Sequence, residues 1–581
     1  MVSGTYSPML RFPLAVLLIS FSLRGGPGDR EALTRNRVLR GGPPFYTEDL
    51  LLADLGGGDR RFTNYSGDLS GRYLGAVALA VDPSDPQFEN VRSLAAAIIR
   101  RQKPSGYFGG PLGEPFARGF LAPWLVPWSI GDDHLALLWG NGRLLIGLLE
   151  YHSVTRDPAA LEAARQLGDY FLRVAPVYQS RTVAWRFGGR GAAGYICWTQ
   201  VIEGLCALVR ATSDSRYLAL AHEIAARVEQ QPEQHSHGFL TSLRGLLELH
   251  RLDPGGGHLR RVEESWRKLY ASGNVLPSGT IPEMFRPANR RDEGCSVADW
   301  LRLNLGLWRE TGGVRYLESA ERNWFNGFAL SQLASGDFSH RSLTADGFGP
   351  PVVRAWWCCT LHGLRTFRDI REAAFRLSSG VLHYDLPVDA RAKAGSRTVE
   401  ARADLDSKAA VQLVLHGKDA APLELAVRVP AWAETVEVVG KPAAPQAAFE
   451  GGYLHLRGSW PAGQVFEVRY LLKTRIERQP DGGVILFRGP WLLAVGEDDS
   501  PAFFDEPSDG NRVLLSPVAP AAGSLPRMAF RVPAAHLVID YLPGGYKTQP
   551  QKVTLRPLAE ATAGGGVGRW QYLFQPAAKT R

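Results

Sequence analysis

Cysteine is scarce in this chain, with five residues in 581, too few and too unevenly placed for a disulfide framework. Basic runs are also missing: the net charge of +8 is spread along the sequence, and no block of five consecutive Lys or Arg residues occurs. The N-terminal apolar run from Phe12 to Leu23 is too short to cross a bilayer. These absences predict no nucleic-acid partner and no membrane-spanning segment.

The composition is that of a folded protein, with 45% apolar and 21% charged residues. The length suggests several domains. Arg11 and the apolar run after it resemble a weak signal peptide, which we place at residues 1–29. We therefore expect a secreted or periplasmic protein. The alternative is a cytoplasmic protein whose N-terminal segment is buried or frayed.

A helix–turn–helix pattern recurs five times between about residues 70 and 335. Each turn is short and polar, and an apolar-periodic helix lies on either side of it. A helical hairpin cannot bury its apolar face alone, so repeated hairpins must stack or close into a ring. Aromatic, glycine-rich linking segments favour a closed α/α barrel with a loop-lined cleft. The turns lie at residues 81–86, 153–158, 211–215, 252–255 and 310–313.

After residue 378 the apolar period changes from helical to alternating. Val411, Leu413 and Leu415 show the alternation, as do Leu423 to Val429 and Val465 to Tyr470. The sequence therefore predicts a multidomain α and β protein with a barrel followed by β-sandwich domains. We place the barrel at 30–378, one β-sandwich at 379–474, and a second β domain with a flexible C-terminal end at 475–581.

The most specific local pattern is Glu293-x-Cys295, followed 63 residues later by Cys358-Cys359. Three thiolates and one carboxylate make a complete tetrahedral ligand set for zinc. Ser296 to Asp299 read as a capping box, which predicts that Cys295 lies just before a helix N-terminus, where the dipole favours a thiolate. Two alternatives remain, a closed structural zinc site and a strained disulfide between the neighbouring cysteines.

Glu283 supplies a further carboxylate in a Gly- and Pro-rich loop close in sequence to this group. A carboxylic acid near an activated thiolate is what acid-assisted cleavage of a glycosidic bond requires. The alternative is that Glu283 is an ordinary surface loop residue.

Together these motifs resemble glycoside hydrolase family 127, the zinc-thiolate β-L-arabinofuranosidases, and the resemblance covers nearly the whole chain. It implies an (α/α)6 barrel followed by β-sandwich domains, and a retaining mechanism. It also implies that Cys358 is the nucleophile, Glu283 the general acid/base, and Glu293, Cys295, Cys358 and Cys359 the zinc ligands. The resemblance rests on Glu283-x-Phe285, Glu293-x-Cys295, Cys358-Cys359, Tyr316-x4-Glu321-Arg322-x3-Asn326, Arg428 to Trp432 and Gly489-Pro490.

The chain departs from the family where histidines contact the sugar. Arg72 and Arg143 stand at two such positions, and His235 and His237 are candidates to retain a sugar-binding histidine. Two guanidinium groups in one cleft would suit an acidic sugar. The alternative is that these arginines pair with nearby aspartates or with the anionic zinc cluster.

The leading prediction is a zinc-dependent retaining exo-glycosidase, similar to the β-L-arabinofuranosidases, that acts through a cysteine nucleophile on furanosides or related sugars, acidic sugars among them. Its partner would be a carbohydrate substrate. The second hypothesis is a non-catalytic carbohydrate-binding scaffold whose zinc is only structural.

Overall fold

The computed structural model describes most of the chain. The predicted signal peptide lies almost wholly outside the described residues, as does most of the glycine-rich segment near the C-terminus. The described residues are 27–41, 45–56, 60–116, 122–285, 291–353, 357–417, 423–439, 446–497, 514–520, 528–532, 551–562 and 568–576.

The N-terminal half is helical. In chain order its α-helices are α1 (Pro27–Arg40), α2 (Glu48–Leu52), α3 (Asp68–Ala80), α4 (Phe88–Ile99), α5 (Val126–Ser129), α6 (Asp132–Thr155), α7 (Pro158–Tyr178), α8 (Arg181–Phe187), α9 (Ile196–Thr199), α10 (Val201–Thr212), α11 (Ser215–Ala225), α12 (Ser236–Leu252), α13 (His258–Ala271), α14 (Gly294–Thr311), α15 (Val314–Arg322), α16 (Ala329–Ser331) and α17 (Trp357–Ala374). A short helix, α18 (Leu405–Lys408), lies among the later strands.

Six of these helices form a closed inner ring in the order α3, α6, α10, α12, α14 and α17, with α17 returning to α3. Outer helices α4, α7, α11, α13 and α15 each pack on the inner helix that precedes them, which confirms the five predicted hairpins. The sixth pair joins distant parts of the chain, because α1 packs on α17. The predicted α/α barrel is therefore confirmed.

The inner helices are buried over most of their length, as the ring requires. Every residue of α6 from His134 to Leu149 is buried. Helices α3 and α6 approach closely at Gly71 and Gly147: a Cβ on Gly71 would lie 2.5 Å from the Leu144 Cα, and one on Gly147 would lie 2.2 Å from the Gly71 carbonyl oxygen. Glycine is needed there for the backbones to touch.

The C-terminal half is built from β-strands. They are β1 (His340–Leu343), β2 (Gly347–Val353), β3 (Phe375–Ser378), β4 (Val381–Tyr384), β5 (Ala390–Ala394), β6 (Arg397–Asp404), β7 (Ala410–His416), β8 (Leu423–Arg428), β9 (Ala433–Val439), β10 (Gln446–Glu450), β11 (Tyr453–Gly458), β12 (Val465–Leu472), β13 (Thr474–Arg478), β14 (Val484–Arg488), β15 (Trp491–Gly496), β16 (Leu514–Pro520), β17 (Met528–Val532), β18 (Gln551–Pro557), β19 (Trp570–Gln571) and β20 (Leu573–Pro576).

Strands β3 to β12 make two five-stranded sheets, ordered β10-β11-β8-β4-β3 and β5-β6-β7-β12-β9. A ten-stranded sheet combines β13 to β20 with the β1–β2 hairpin, which comes from within the helical half of the chain. The alternating segments of the sequence lie in β7, β8 and β12, so the change of period at residue 378 is confirmed. The domain boundaries themselves stay predictions.

Several motif residues outside the cysteine group join the barrel to the sheets. The buried Arg428 of β8 pairs with Glu321 at the end of α15. Asn326 lies in a π-helical turn after α15; its side chain donates to the Pro490 carbonyl (3.0 Å) and accepts from the Leu492 amide (2.7 Å). These contacts hold β8 and β15 against the barrel.

Each helix in the described part of the chain is too short or too polar to span a bilayer.

Candidate active site

The cysteine group lies where inner helices α14 and α17 begin. Cys295 is the second residue of α14, and Cys358 and Cys359 are the second and third of α17. The unpaired amides of a helix N-terminus favour negative charge, so both helices stabilise thiolates there.

Helix α14 begins earlier than the sequence predicts. It starts at Gly294, so Cys295 lies inside its first turn, and the capping box expected at Ser296 to Asp299 does not form. The reason is that the Asp299 carboxylate bonds to side chains of other inner helices. Ser296 instead donates to Glu293 Oε2 at 2.9 Å.

The four predicted metal ligands converge: one donor atom from each of Glu293, Cys295, Cys358 and Cys359 lies within 4.8 Å of all the others. Cys295 Sγ and Cys359 Sγ are 3.5 Å apart, close to the distance of about 3.8 Å that two tetrahedral bonds of 2.3 Å would give. No disulfide is formed. This group could therefore hold a metal ion.

Neighbouring polar groups orient the Glu293 carboxylate. Its Oε2 atom accepts from His235 Nε2 at 2.9 Å. Burial opposes the charge, yet the His235 interaction holds the pKa of Glu293 below its usual range, and the same contact raises the pKa of His235. His340 of β1 places its Nε2 atom 3.6 Å from Cys359 Sγ. Carboxylates and other groups that bind a metal usually have hydrogen-bond partners of this kind, which fix their orientation.

Cys358 differs from its two neighbours in access and in acidity. Its side chain is half-buried, whereas Cys295 and Cys359 are buried. Hydrogen bonds from the other two thiols, and then the charge of Arg72, hold the pKa of Cys358 well below its ordinary value. Burial raises the pKa of Cys295 and of Cys359. Cys358 is thus the thiol of the three that is both reachable and most readily ionised.

Arg72 reaches the site from α3, and its partners lie on α3 itself, on α12 and on α17, where His362 Nδ1 is 3.5 Å from Arg72 Nη1. Its Nε donates to Asp68 at 2.8 Å and its Nη2 to His237 Nε2 at 2.9 Å. A guanidinium can only donate, so the other nitrogen of His237 carries the proton that bonds to Asp299. The Trp139 indole also donates to Asp68, at 2.9 Å.

Asp299 is the centre of this buried network. Its carboxylate accepts from His362 Nε2 at 2.6 Å and Thr241 Oγ1 at 3.0 Å, and it also pairs with His237 and Arg244. Burial raises the pKa of Asp299, but these partners outweigh it and hold the pKa well below its usual range. With two arginines at this group, the His237–Asp299–His362 set is filled by hydrogen bonds rather than by an ion.

Glu283 lies beside the group, 6% exposed, in the loop before α14. Its carboxylate pairs with Arg291, whose Nη2 donates at 2.7 Å. His235 is close enough for the charges of both Glu283 and Cys358 to raise its pKa. A cavity of about 440 Å³ opens next to this loop and is lined by Met284, Glu233 and the glycine-rich segment 189–193.

Two sequence profiles of known families match the chain. The β-L-arabinofuranosidase GH127 catalytic-domain profile matches residues 53–249, and the GH127 middle-domain profile matches residues 383–472. The chain belongs to glycoside hydrolase family 127. It is a glycoside hydrolase by that membership, which confirms the family predicted from the motifs.

Solved structures show the same fold as this family 127 protein. A GH127 β-L-arabinofuranosidase from Geobacillus stearothermophilus T6 superposes with a TM-score of 0.68 at 16% identity, covering 94% of this chain and 98% of its own. A second GH127 β-arabinofuranosidase gives 0.68 at 16% identity, covering 94% of each chain. No curated protein matches the sequence.

The second arginine of this family 127 protein, Arg143, points away from the cysteine group. It is 3% exposed, bonds to Gln200 through its Nε at 2.8 Å and lies 3.7 Å from Glu203. Arg72 and Arg143 both stack over the Trp139 ring, at 5.9 and 5.3 Å. The structure thus brings the predicted ligands, Glu283, Arg72, His235 and His237 together, and places Arg143 deeper in the barrel.

Asp299 and His362 are site residues that no sequence motif predicted. One usable signal was present on α12, where His237, Thr241 and Arg244 follow the spacing of one helix face inside an otherwise apolar helix. Such a polar line in an inner helix has to meet polar partners. Asp299 of α14 is the partner of all three.

Proposed function

We propose that this family 127 enzyme is a zinc-dependent retaining exo-glycosidase that hydrolyses furanosides in the manner of a β-L-arabinofuranosidase. The observation that carries the proposal is the position of Cys358, the half-buried, acidic member of a group of four ligands that are otherwise buried. A purely structural site would gain nothing from a reachable sulfur.

The donor set favours zinc. Three thiolates select a soft or borderline metal, and zinc accepts a carboxylate as the fourth ligand in tetrahedral geometry without redox chemistry. Glu293, Cys295, Cys358 and Cys359 would hold it. When bound, zinc keeps the thiolates deprotonated at neutral pH and lowers the cost of releasing Cys358 as a leaving group.

The residues support a double displacement. The Cys358 thiolate attacks the anomeric carbon, the bond to the leaving oxygen breaks, and Glu283 gives that oxygen its proton. A thioether-linked glycosyl-enzyme results. Glu283, now a carboxylate, takes a proton from water as the water oxygen attacks the same carbon and the carbon–sulfur bond breaks. Two inversions retain the configuration, and the Cys358 thiolate is restored.

Arg291 bears on the first of these steps, because its guanidinium contacts both oxygens of the Glu283 carboxyl group that has to reach the leaving oxygen. The Arg291 side chain is 41% exposed. We propose that Arg291 moves away when a sugar enters the site, so that the Glu283 oxygens can reach the leaving oxygen of the substrate.

The arginines favour a neutral sugar over an acidic one. Arg72 pairs with Asp68, and Arg143 with Glu203, so neither guanidinium is left to bind a substrate carboxylate. We expect wild type to prefer a neutral furanoside to its acidic analogue, and Arg143→Gln to leave that preference unchanged in kcat/KM. A preference for the acidic substrate that Arg143→Gln removes would restore the acidic-sugar hypothesis.

The experiment that tests the function is an assay of aryl furanosides and pyranosides with wild type, Cys358→Ser and Cys206→Ser. Cys206 is buried in α10 and lies outside the ligand group, so its variant is a matched control. Wild type and Cys206→Ser should hydrolyse a furanoside, and Cys358→Ser should not. A wild-type protein that binds these sugars and hydrolyses none would support the scaffold hypothesis instead.

A further inference from the structure

A second group of metal-ligand side chains lies on the outside of the barrel. His222 belongs to outer helix α11, Asp253 follows the last residue of α12, and His258 begins α13. Helix α12 separates the group from the cysteine site: His235 at its start contacts Glu293, while Asp253 lies at its other end, about 26 Å away for 17 residues. The group therefore has no part in the proposed hydrolysis.

The donor atoms of this outer group lie close together. One nitrogen from each histidine and one Asp253 oxygen lie within 4.8 Å of one another. His258 Nε2 is 3.2 Å from His222 Nδ1, and His222 Nε2 is 3.4 Å from Asp253 Oδ2. His258 is 6% exposed, whereas the side chains of His222 and Asp253 are 34% and 42% exposed. The group is anchored on one side and open to solvent on the other.

The surroundings leave room for an ion. A Cβ on Gly256 would lie 2.6 Å from His258 Nε2 and 3.0 Å from Asp253 Oδ2, so the absence of a side chain keeps the space between these donors clear.

Hydrogen bonding alone leaves this cluster incomplete. The Nδ1 atom of His258 is buried without a hydrogen-bond partner in the described part of the chain, and so is Nδ1 of the nearby His250. The hydrogen bonds of the described residues therefore leave one ring nitrogen of His258 without a partner. Two imidazoles and a carboxylate with open positions suit zinc or nickel, whereas the thiolate-rich site does not resemble this donor set.

We propose that His222, Asp253 and His258 form a second, outer metal site for a divalent transition metal of the zinc and nickel class. The bound ion would tie α11 to the α12–α13 turn and to the first residue of α13. Water would fill its remaining positions on the exposed side. A metal that binds only the folded chain would also stabilise it.

Equilibrium dialysis of the full-length protein against Zn²⁺ alone tests the site, with metal content read for wild type, His222→Gln, Asp253→Asn and His416→Gln. His416 is a matched control, since it lies 3.0 Å from the carboxylate of Glu400 and has no second histidine as a hydrogen-bond partner among the described residues. Wild type and His416→Gln should hold one equivalent more than the other two. The loss in affinity should exceed tenfold, because even outer-shell changes cost 10–100-fold.

Thermal unfolding with and without Ni²⁺ gives an independent reading. Ni²⁺ should raise the Tm of wild type and His416→Gln more than that of His222→Gln or Asp253→Asn, and all four should have the same Tm within a few degrees after chelation. Equal Zn²⁺ content and equal Ni²⁺ shifts in the four proteins would overturn the outer site. All four proteins carry the same cysteine site, so a failure of that site to bind zinc would lower the metal content of all four equally. It would not produce the difference of one equivalent between wild type and the outer-site variants.

Discussion

Glu283 and Cys358 divide the proposed chemistry between a carboxyl group and a sulfur. The division rests on position: Cys358 is the half-buried thiol of its group, and Glu283 lies in the adjoining loop, where Arg291 contacts both of its oxygens until a substrate displaces it. A carboxyl group beside a nucleophilic sulfur is the arrangement that general-acid catalysis with a covalent nucleophile requires.

Replacing Glu283 should affect substrates according to their leaving groups. With Glu283→Gln, a poor leaving group such as an alcohol should lose about 10²–10⁴-fold in kcat/KM, and an activated aryl glycoside far less, because it needs little protonation in the transition state. Steady-state kinetics on both substrates checks this, with the exposed Glu89→Gln of α4 as control. Equal losses on the two substrates would show that Glu283 is not the acid.

Residue types predicted the metal ligands but not the buried hydrogen-bond network of Asp299. Thiolates and carboxylates are typical metal ligands, so the unusual spacing of three cysteines and a glutamate was sufficient to predict the ligand group. Its members are Glu293, Cys295, Cys358 and Cys359. Asp299 contacts His237 and His362, which are 62 and 63 residues away. Aspartate and histidine are common in caps and turns, and no local motif distinguishes a buried partner from a cap. Only the closed ring brings these positions together.

At the scale of elements, the first turns of α14 and α17 act as the two halves of the ligand group. These neighbouring inner helices are joined by α15, a π-helical turn and the β1–β2 hairpin, so a metal there would cross-link a long loop of chain. Binding free energy at a site present only in the folded state is folding free energy.

Changing one ligand should therefore reduce both metal content and stability. Wild type should contain about one tightly held zinc in the cysteine group, and Cys295→Ser should lose it together with a few kcal/mol of unfolding free energy, as ligand linkage requires. Cys206 is a buried cysteine of α10, which is separated from α14 by α12 in the ring, so Cys206→Ser should keep the metal. Metal analysis and urea unfolding provide the readings. Full zinc content in Cys295→Ser would contradict the ligand assignment.

The elements themselves were largely predictable. Polar turns between apolar-periodic segments gave all five hairpins, since the 3.6-residue period and the turn residues are local properties. The sixth pair was not found, because α1 and α17 are more than 300 residues apart and no local signal links them. For the same reason, nothing in the sequence placed the β1–β2 hairpin in the C-terminal sheet.

Across the whole molecule, a line of buried charges runs through the barrel from the cysteine end to the other end. Arg72, His237, Asp299 and Arg244 lead to Glu203, and a cavity of about 540 Å³ opens beyond it, lined largely by arginines and acidic residues. Removing one partner from such a buried set leaves a charge uncompensated. The fold should therefore depend strongly on the ionisation of these acids.

The pKa of Glu203 shows how the free energy of unfolding should change with pH. Although burial raises its pKa, Arg244 and other arginines outweigh burial and lower it to about 2, against about 4.3 in an unfolded chain. Because the pKa of Glu203 is lower in the folded state, its carboxylate stabilises the fold above pH 4.3, and this contribution is lost as the pH falls towards 2. In urea unfolding, the deficit of Glu203→Gln relative to wild type should shrink between about pH 5 and pH 2. A constant deficit would contradict this.

The most direct test of the account is to trap the sugar on Cys358. Glu283→Gln should still react with an activated aryl furanoside but activate water poorly, so the glycosyl-enzyme should accumulate. Acid quench and peptide mass spectrometry should then find one sugar residue, as its anhydro mass, on the peptide containing Cys358 and Cys359, with fragmentation placing it on Cys358. Release of the aryl group with no adduct, or an adduct on a carboxylate, would contradict a cysteine nucleophile.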